Sequence, residues 1–292
     1  MLKRAVGGLL PGRFRQKLLY KRIHGRWPNL RSPQTFTEKV FWRKFNDRNP
    51  LYTFCTDKLK VRGYVGERVG SDVLVPLIFE TANPEDLREL ASWRNVVVKA
   101  NHGWKMMEII GDEEPSEQEK ARIIGECHRW LAISHARLHG EMHYDGIEPR
   151  VMVERFVGDR QRTPLDCKVH CFWQDDGTVM MMVQLVADRH SSKSMSYYID
   201  GLDERHVVRD VGDNPPRIEG LHQEFVDAAI RKSKILSADF DYVRVDWMLT
   251  ADSLFFSELT FTPGAGLSRS MGPQLDQALG RLWVQQSATN ST

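Results

Sequence analysis

The chain has 292 residues, 41 Lys or Arg against 39 Asp or Glu, 41% apolar and 10% aromatic residues, enough to bury a substantial core in one or two domains. This composition excludes a disordered polymer, and the four scattered cysteines, Cys55, Cys127, Cys167 and Cys171, exclude a disulfide framework. The net charge of +2 hides an asymmetry, because residues 1–44 hold twelve Lys or Arg and a single acid, Glu38, while the remainder is net acidic.

Residues 1–11 are too short and too Gly/Pro-broken to span a membrane, and they lack the continuous apolar run of a secretion signal. Residues 13–26 mix basic groups with Phe14, Leu18, Leu19, Tyr20 and Ile23. Two readings stay open: a helix lying on an anionic leaflet, or a basic helix packed on the domain. Nucleic acid is not an expected partner, since no recognition motif is present. Thr35 and Glu38 form a capping box that opens a helix with Val40, Phe41 and Phe45 inward. A second helix is predicted over 57–68, followed by short strands at 74–78, 95–99 and 107–110 in a small α+β lobe. Ser116 and Glu119 open the clearest helix, whose Ile123, Ile124, Cys127, Trp130 and Leu131 keep the 3.6-residue period. Strands follow at 151–157, 168–173 and 179–186, with a turn at Gly177. Cys167 and Cys171 on one such strand lie roughly 13 Å apart, too far to share a metal ion, so buried free thiols are expected. A helix over 221–236 comes next, after the most linker-like stretch, 210–216.

The segments 243–247 and 257–264 read as two strands of a hairpin, rich in β-branched and aromatic residues. With a three-residue loop, Ala251 to Ser253, position 246 faces 258 and 244 faces 260. Arg244, Asp246, Glu258 and Thr260 then share one face, and Val245, Trp247 and Leu259 the other. Two facing carboxylates repel unless a cation sits between them, and Mg²⁺ accepts one or two carboxylates plus phosphate oxygens. An ordinary hairpin with a solvated polar face is the alternative, and a two-residue loop would put Glu258 on the wrong face.

Glu258-Leu259-Thr260-Phe261-Thr262-Pro263-Gly264 resembles the terminal metal strand of ATP-grasp enzymes, and Arg244-Val245-Asp246 the strand before it. Thr35-Phe36-Thr37-Glu38-Lys39, Asn46-Asp47-Arg48-Asn49-Pro50, Asp57-Lys58, Lys99-Ala100-Asn101-His102-Gly103 and Asp166-Cys167-Lys168 resemble, in the same order, the motifs of the TupA-like ATP-grasp family of surface-polysaccharide loci. The resemblance runs from about residue 33 to 270. It implies an α+β ATP-grasp fold with two lobes and a nucleotide cleft between them, divided as a basic helical segment (1–66), a small lobe (67–155) and a large lobe (156–292).

The same resemblance implies ATP and Mg²⁺ as cofactors. Asp246, Glu258 and Thr260 would hold the metal, and Lys58 and Lys99 the phosphates. Glu154 would meet the adenine amino group, with Phe156 offering backbone groups, and Arg244 would stabilise the tetrahedral intermediate. Asp166 and Lys168 share a strand face, and they either reach ribose or phosphate or pair with each other. His102 either contacts nucleotide or is structural. In place of the family's glycine-rich stretch, Gly103 is followed by Trp104-Lys105-Met106-Met107, where Lys105 would supply a point charge to phosphate. The implied activity is that of a cytoplasmic carboxylate–amine ligase acting through an acyl phosphate on a small-molecule amine and a carboxylated saccharide. Residues 1–31 are the candidate contact with an anionic membrane surface or lipid-linked saccharide. The alternatives are a non-catalytic nucleotide-binding scaffold of the same pathway, which the altered loop favours, and an ATP-grasp saccharide kinase.

Overall fold

The computed structural model describes residues 12–158, 164–187, 194–200, 206–217 and 223–285; what is expected of residues 1–11 lies outside them. The chain begins with helices α1 (Gly12–His24), α2 (Phe36–Asn46), α3 (Pro50–Thr56) and α4 (Val61–Val69). Strands β1 (Leu77–Thr81), β2 (Val96–Ala100) and β3 (Met107–Ile110) lead into α5 (Glu117–Leu131), α6 (His135–His139) and β4 (Val151–Arg155). A run of strands follows: β5 (Leu165–Trp173), β6 (Val179–Ala187), β7 (Ser194–Asp200) and β8 (His206–Val211). Helix α7 (Gln223–Leu236), strands β9 (Tyr242–Leu249) and β10 (Leu254–Thr260), and helix α8 (Gly272–Leu282) complete the order.

The strands form two antiparallel sheets, one of four in the order β1-β4-β2-β3 and one of six in the order β10-β9-β5-β6-β7-β8. The architecture is α+β. Ser116 accepts a hydrogen bond from the Glu119 backbone N–H at the start of α5, whose Ile123, Ile124, Cys127 and Trp130 pack on Val96, Val98 and Val153 of the small sheet. On the large sheet, Val169, Cys171, Val243, Val245 and Trp247 lie under α7 and α4, each side chain contributing about 1.5–3 kcal/mol by leaving water. Half of the opposite face is closed by Phe36 of α2 and Leu279 and Trp283 of the α8 region over Phe172, Met182 and Tyr242. The other half carries the polar residues described below. All four cysteines are free and buried.

Helix α2 has the full capping box, with Val40, Phe41 and Phe45 buried. Residues 57–68 do not make one helix: Asp57 is extended (ψ 112°) at the end of α3, its carboxylate accepts the Leu59 backbone N–H at 2.9 Å in the turn that follows, and α4 starts at Val61. Strand β1 begins at Leu77 rather than 74, and Leu74 instead forms an isolated parallel bridge to Phe256. Strands β7 and β8 and helix α8 occupy stretches for which the sequence named no element, and Asp210, expected in a linker, belongs to β8.

Helix α1 is packed on the domain. Tyr20 lies edge-on to Phe41 at 5.0 Å, its hydroxyl 3.2 Å from Thr37 Oγ1, and Lys44 Nζ donates to Gln16 Oε1 at 3.2 Å. Its outer face keeps Phe14, Leu18 and Leu19 exposed. Among the described residues no helix is long and apolar enough to cross a membrane. After β10 the Pro263–Gly266 turn bends back onto α2. Gly266 has φ +72°, and a Cβ there would come within 2.7 Å of the Thr37 carbonyl oxygen, which requires glycine.

Candidate active site

The hairpin reaches the expected register by an unexpected route. Leu249 pairs with Leu254 across a four-residue loop, and Trp247 pairs with Phe256; a bulge at Ser257 then shifts the count, so that Glu258 faces Asp246 and Thr260 faces Arg244. Phe256 and Leu259 both face the core, and an odd separation between two core positions is impossible in a regular strand. The bulge supplies the extra residue. Without it Glu258 would face inward.

Arg244, Asp246, Glu258 and Thr260 therefore share one face, joined by Lys168 from β5. The Arg244 guanidinium grips Asp246 with Nε and Nη2, both at 2.6 Å, and Lys168 Nζ donates to Asp246 Oδ2 at 2.7 Å. Burial alone would raise the Asp246 carboxyl, but Arg244 and Lys168 hold it down at about 2. Arg244 also donates to Thr260 Oγ1 at 3.2 Å, and that hydroxyl donates to Glu258 Oε1 at 2.9 Å. Asp166 stands 3.9 Å from the Lys168 ammonium. Glu258 is about one-third exposed, and its Oε1 lies 3.9 Å from Arg244.

Two carboxylates and a hydroxyl form an oxygen-only donor set, which suits a hard cation such as Mg²⁺. Glu258 is the readier ligand. Asp246 has both oxygens engaged by cations, so it binds a metal only by sharing an oxygen with one of them. Among the described residues no group of three or more His, Cys, Asp or Glu gathers in metal-binding geometry, so a metal here depends on substrate oxygens or water to complete its shell.

A second charged group comes from the small sheet. Lys99 Nζ lies 2.6 Å from Glu154 Oε2, and Arg62 Nη1 donates to the other oxygen at 3.0 Å, so Lys99 is paired and Glu154 is engaged on both sides. Lys58 stands between the two groups. Burial lowers its pKa, Glu258 pulls it back up, and Lys99 lowers it further, so Lys58 lies within electrostatic range of both. Lys58 Nζ donates to the Gly103 carbonyl at 2.6 Å and so ties down the start of the loop.

Trp104 anchors the same loop. Its indole N–H donates to Glu141 Oε2 at 3.2 Å, and its ring packs against His135 and His139 at 5.2 and 4.9 Å. Glu141 Oε1 accepts the Thr262 hydroxyl at 2.6 Å, which links the loop to the end of the metal strand. Burial raises the Glu141 carboxyl against these two hydrogen bonds.

Three expected site residues stand apart. His102 is buried, with its ring nitrogens 3.2 Å from Asn101 Oδ1 and the Trp130 carbonyl, and burial lowers its pKa. Lys105 is exposed, with φ +60°, and its ammonium lies 5.4 Å from the Trp104 ring centre. Phe156 gives its backbone N–H to the Asn95 carbonyl at 2.8 Å, leaving only its own carbonyl for a ligand. The sequence did not single out Arg62, Glu141 or Thr262 as site residues. Arg62 stands at the start of α4, just across the turn from Lys58, and that nearness in sequence is its signal; Glu141 has none.

A family model described as TupA-like ATPgrasp matches residues 38–284. No curated protein matches the chain. Among solved structures, the chain is similar to D-alanine–D-alanine ligase from Bacillus anthracis, at 15% identity over 79% of this chain and 64% of that one, with a TM-score of 0.43. It is also similar to D-alanine–D-alanine ligase from Helicobacter pylori, at 13% identity over 85% and 67% of the two chains, with a TM-score of 0.47. For N5-carboxyaminoimidazole ribonucleotide synthetase from Thermus thermophilus the figures are 12%, 83%, 50% and 0.42. The chain thus spans half to two-thirds of the length of these neighbours.

Proposed function

This chain belongs to the TupA-like ATP-grasp family, and we propose that it is an ATP- and Mg²⁺-dependent carboxylate–amine ligase. The observation that carries the proposal is the sheet face shared by Arg244, Asp246, Lys168, Glu258 and Thr260, with Lys58 within electrostatic range of both Glu258 and Lys99. In this reading Lys58 and Lys99 offset the charge of the nucleotide phosphates, since charge-assisted donors are strongest where water is scarce. Mg²⁺ held through Glu258 and Asp246 supplies neutralisation of the charge that develops on the transferred phosphoryl group. Lys168 is the cation that turns from Asp246 toward ribose or phosphate, which frees an Asp246 oxygen. A substrate carboxylate attacks the γ-phosphorus and ADP leaves; an amine then displaces phosphate from the acyl phosphate, with Arg244 stabilising the oxyanion.

The acceptor in this proposal is a carboxylated saccharide of surface-polysaccharide biosynthesis in the cell envelope, and the donor an amino acid or similar amine. The protein is placed in the cytoplasm, peripheral to the inner face of the membrane, with Phe14, Leu18 and Leu19 of α1 exposed beside Lys17 and Lys21 to meet anionic lipid. Because Tyr20 is buried against Phe41, vesicle co-sedimentation is better tested with Leu18→Glu than by deleting residues 1–31. One observation favours a second reading, a nucleotide-binding scaffold without turnover: the Trp104 tether to Glu141 holds the loop that glycines would leave open.

Incubation with Mg-ATP and a panel of amino acids and uronic acids, with products resolved by mass, separates the readings. ADP, phosphate and an amide support the ligase. A phosphorylated sugar selects a kinase, and tight nucleotide binding without products selects the scaffold.

A further inference from the structure

Residues directly paired across antiparallel strands point to the same face. From β10 inward, one row crosses the whole large sheet: Glu258 faces Asp246, Asp246 faces Lys168, Lys168 faces Gln184, Gln184 faces Tyr197, and Tyr197 faces Arg209. Side-chain contacts follow the register. Gln184 Nε2 donates to the Tyr197 hydroxyl at 3.1 Å, and that hydroxyl donates to Ser270 Oγ at 2.9 Å. Arg209 Nε donates to the Ser270 carbonyl at 2.8 Å. The Tyr197 phenol is within electrostatic range of both Arg209 and Arg244, so the far end of the row belongs to the same face as the hairpin.

Beyond Arg209 opens a cavity of about 470 Å³, lined by His24, Arg26, Thr35, Arg209, Ser268 and Arg269 among others. That volume suits a small polar ligand. Its one carboxylate, Asp276, is committed to Thr37, accepting the backbone N–H at 2.7 Å and the hydroxyl at 2.9 Å. Arg26 is paired with Glu38, and burial lowers the His24 pKa. Among the described residues, Arg209 and Arg269 have no carboxylate at ion-pair distance. Two guanidinium groups without a carboxylate partner among the described residues, beside serine and threonine hydroxyls, make an anion site, and the planar fork of arginine matches a carboxylate.

We propose that this cavity is a subsite for a second carboxylate of an acidic oligosaccharide whose reacting end lies at Arg244, Asp246 and Glu258. The proposal rests on the reading of the acceptor as a carboxylated saccharide. Asp246 and Arg209 stand four strand spacings apart, about 19 Å along the sheet at ~4.8 Å each, further than one sugar ring spans. The substrate is therefore a chain of several sugars, gripped at a distance from the reacting group.

Calorimetry without ATP tests the subsite apart from ligase chemistry, with tetragalacturonate, galacturonate and neutral maltotetraose as probes. The expected result is that tetragalacturonate binds at least about tenfold more tightly than galacturonate, and that Arg269→Gln and Arg209→Gln each remove that gain while leaving ATP affinity unchanged. Arg269 is exposed, so its variant tests charge without risk to the fold. Equal affinity for tetramer and monomer, equal affinity for maltotetraose, or tetramer binding indifferent to Arg269→Gln would each overturn the subsite. Failure of the ligase reading is seen separately, as absence of amide product from a protein that still binds tetragalacturonate.

Discussion

Replacing Asp246 by Asn removes the charge on which Arg244 and Lys168 converge while keeping the side-chain shape. The carboxyl is held down from its ordinary 3.8 to about 2, and at about 1.4 kcal/mol per pH unit that fall corresponds to roughly 2–3 kcal/mol of stability. Asp246 is nearly fully buried, so little of this is lost to solvent screening. The sign follows from the depressed pKa: the contribution is complete above about 3.8 and disappears as pH falls through about 2. Urea denaturation at pH 7 should show Asp246→Asn less stable by about 2–3 kcal/mol, with the gap closing below pH 4. Lys168→Met should cost less in the Asp246→Asn background than in the wild type, because its partner is already gone. Equal stability of Asp246→Asn and wild type at pH 7 would refute the view that these ion pairs hold the site together.

Lys99→Met should weaken Mg-ATP binding by tenfold or more, the effect of losing one charged hydrogen bond worth about 1.5–3 kcal/mol, and unchanged affinity by calorimetry would make Lys99 a purely structural partner of Glu154. Glu258→Gln should abolish turnover with little loss of stability, since the carboxylate is about one-third exposed; near wild-type activity would remove it from the metal site. Glu141→Gln should gain stability relative to wild type as pH rises. The raised pKa of Glu141 gives a contribution present below about 4.5 and lost as pH climbs through the folded value, while the amide keeps its oxygen as acceptor for Trp104 and turns its NH2 to the Thr262 hydroxyl, which can accept as well as donate. Urea midpoints at pH 5, 7 and 8 measure this, and a constant offset between variant and wild type would contradict it.

Elements specified by local chemistry were legible in the sequence. The Thr35–Glu38 capping box and the 3.6-residue apolar stripe from Ile123 to Trp130 each fix a helix without distant contacts. The facing of Asp246 and Glu258 was legible as a pattern, but the loop is one residue longer than that pattern predicts. The needed signal lay in Leu254, Phe256 and Leu259, whose core positions change parity along the strand. Strands β7 and β8 carry polar residues such as Tyr197 and Arg209 whose partner, Ser270, lies 73 and 61 residues away, so local propensity gives no warning of them. Glu141 is the extreme case. It sits in an irregular stretch, and its role comes from Trp104 and Thr262, 37 and 121 residues away.

The bulge at Ser257 also bears on how the molecule behaves in a crowd. Strand β10 is the outer strand of the large sheet, its free side touched by a single bridge from Leu74, and a long regular border of this kind invites a second chain to add its own strand. An extra residue in the middle of that border breaks the evenly spaced row of donors and acceptors that an incoming strand would need. Excising Ser257 leaves Trp247 opposite Phe256 and Asp246 opposite Glu258, so the charged face survives, yet the border becomes straight. Such a protein should still bind nucleotide while forming higher-mass species in light scattering as its concentration rises, and the natural chain should stay monodisperse over the same range.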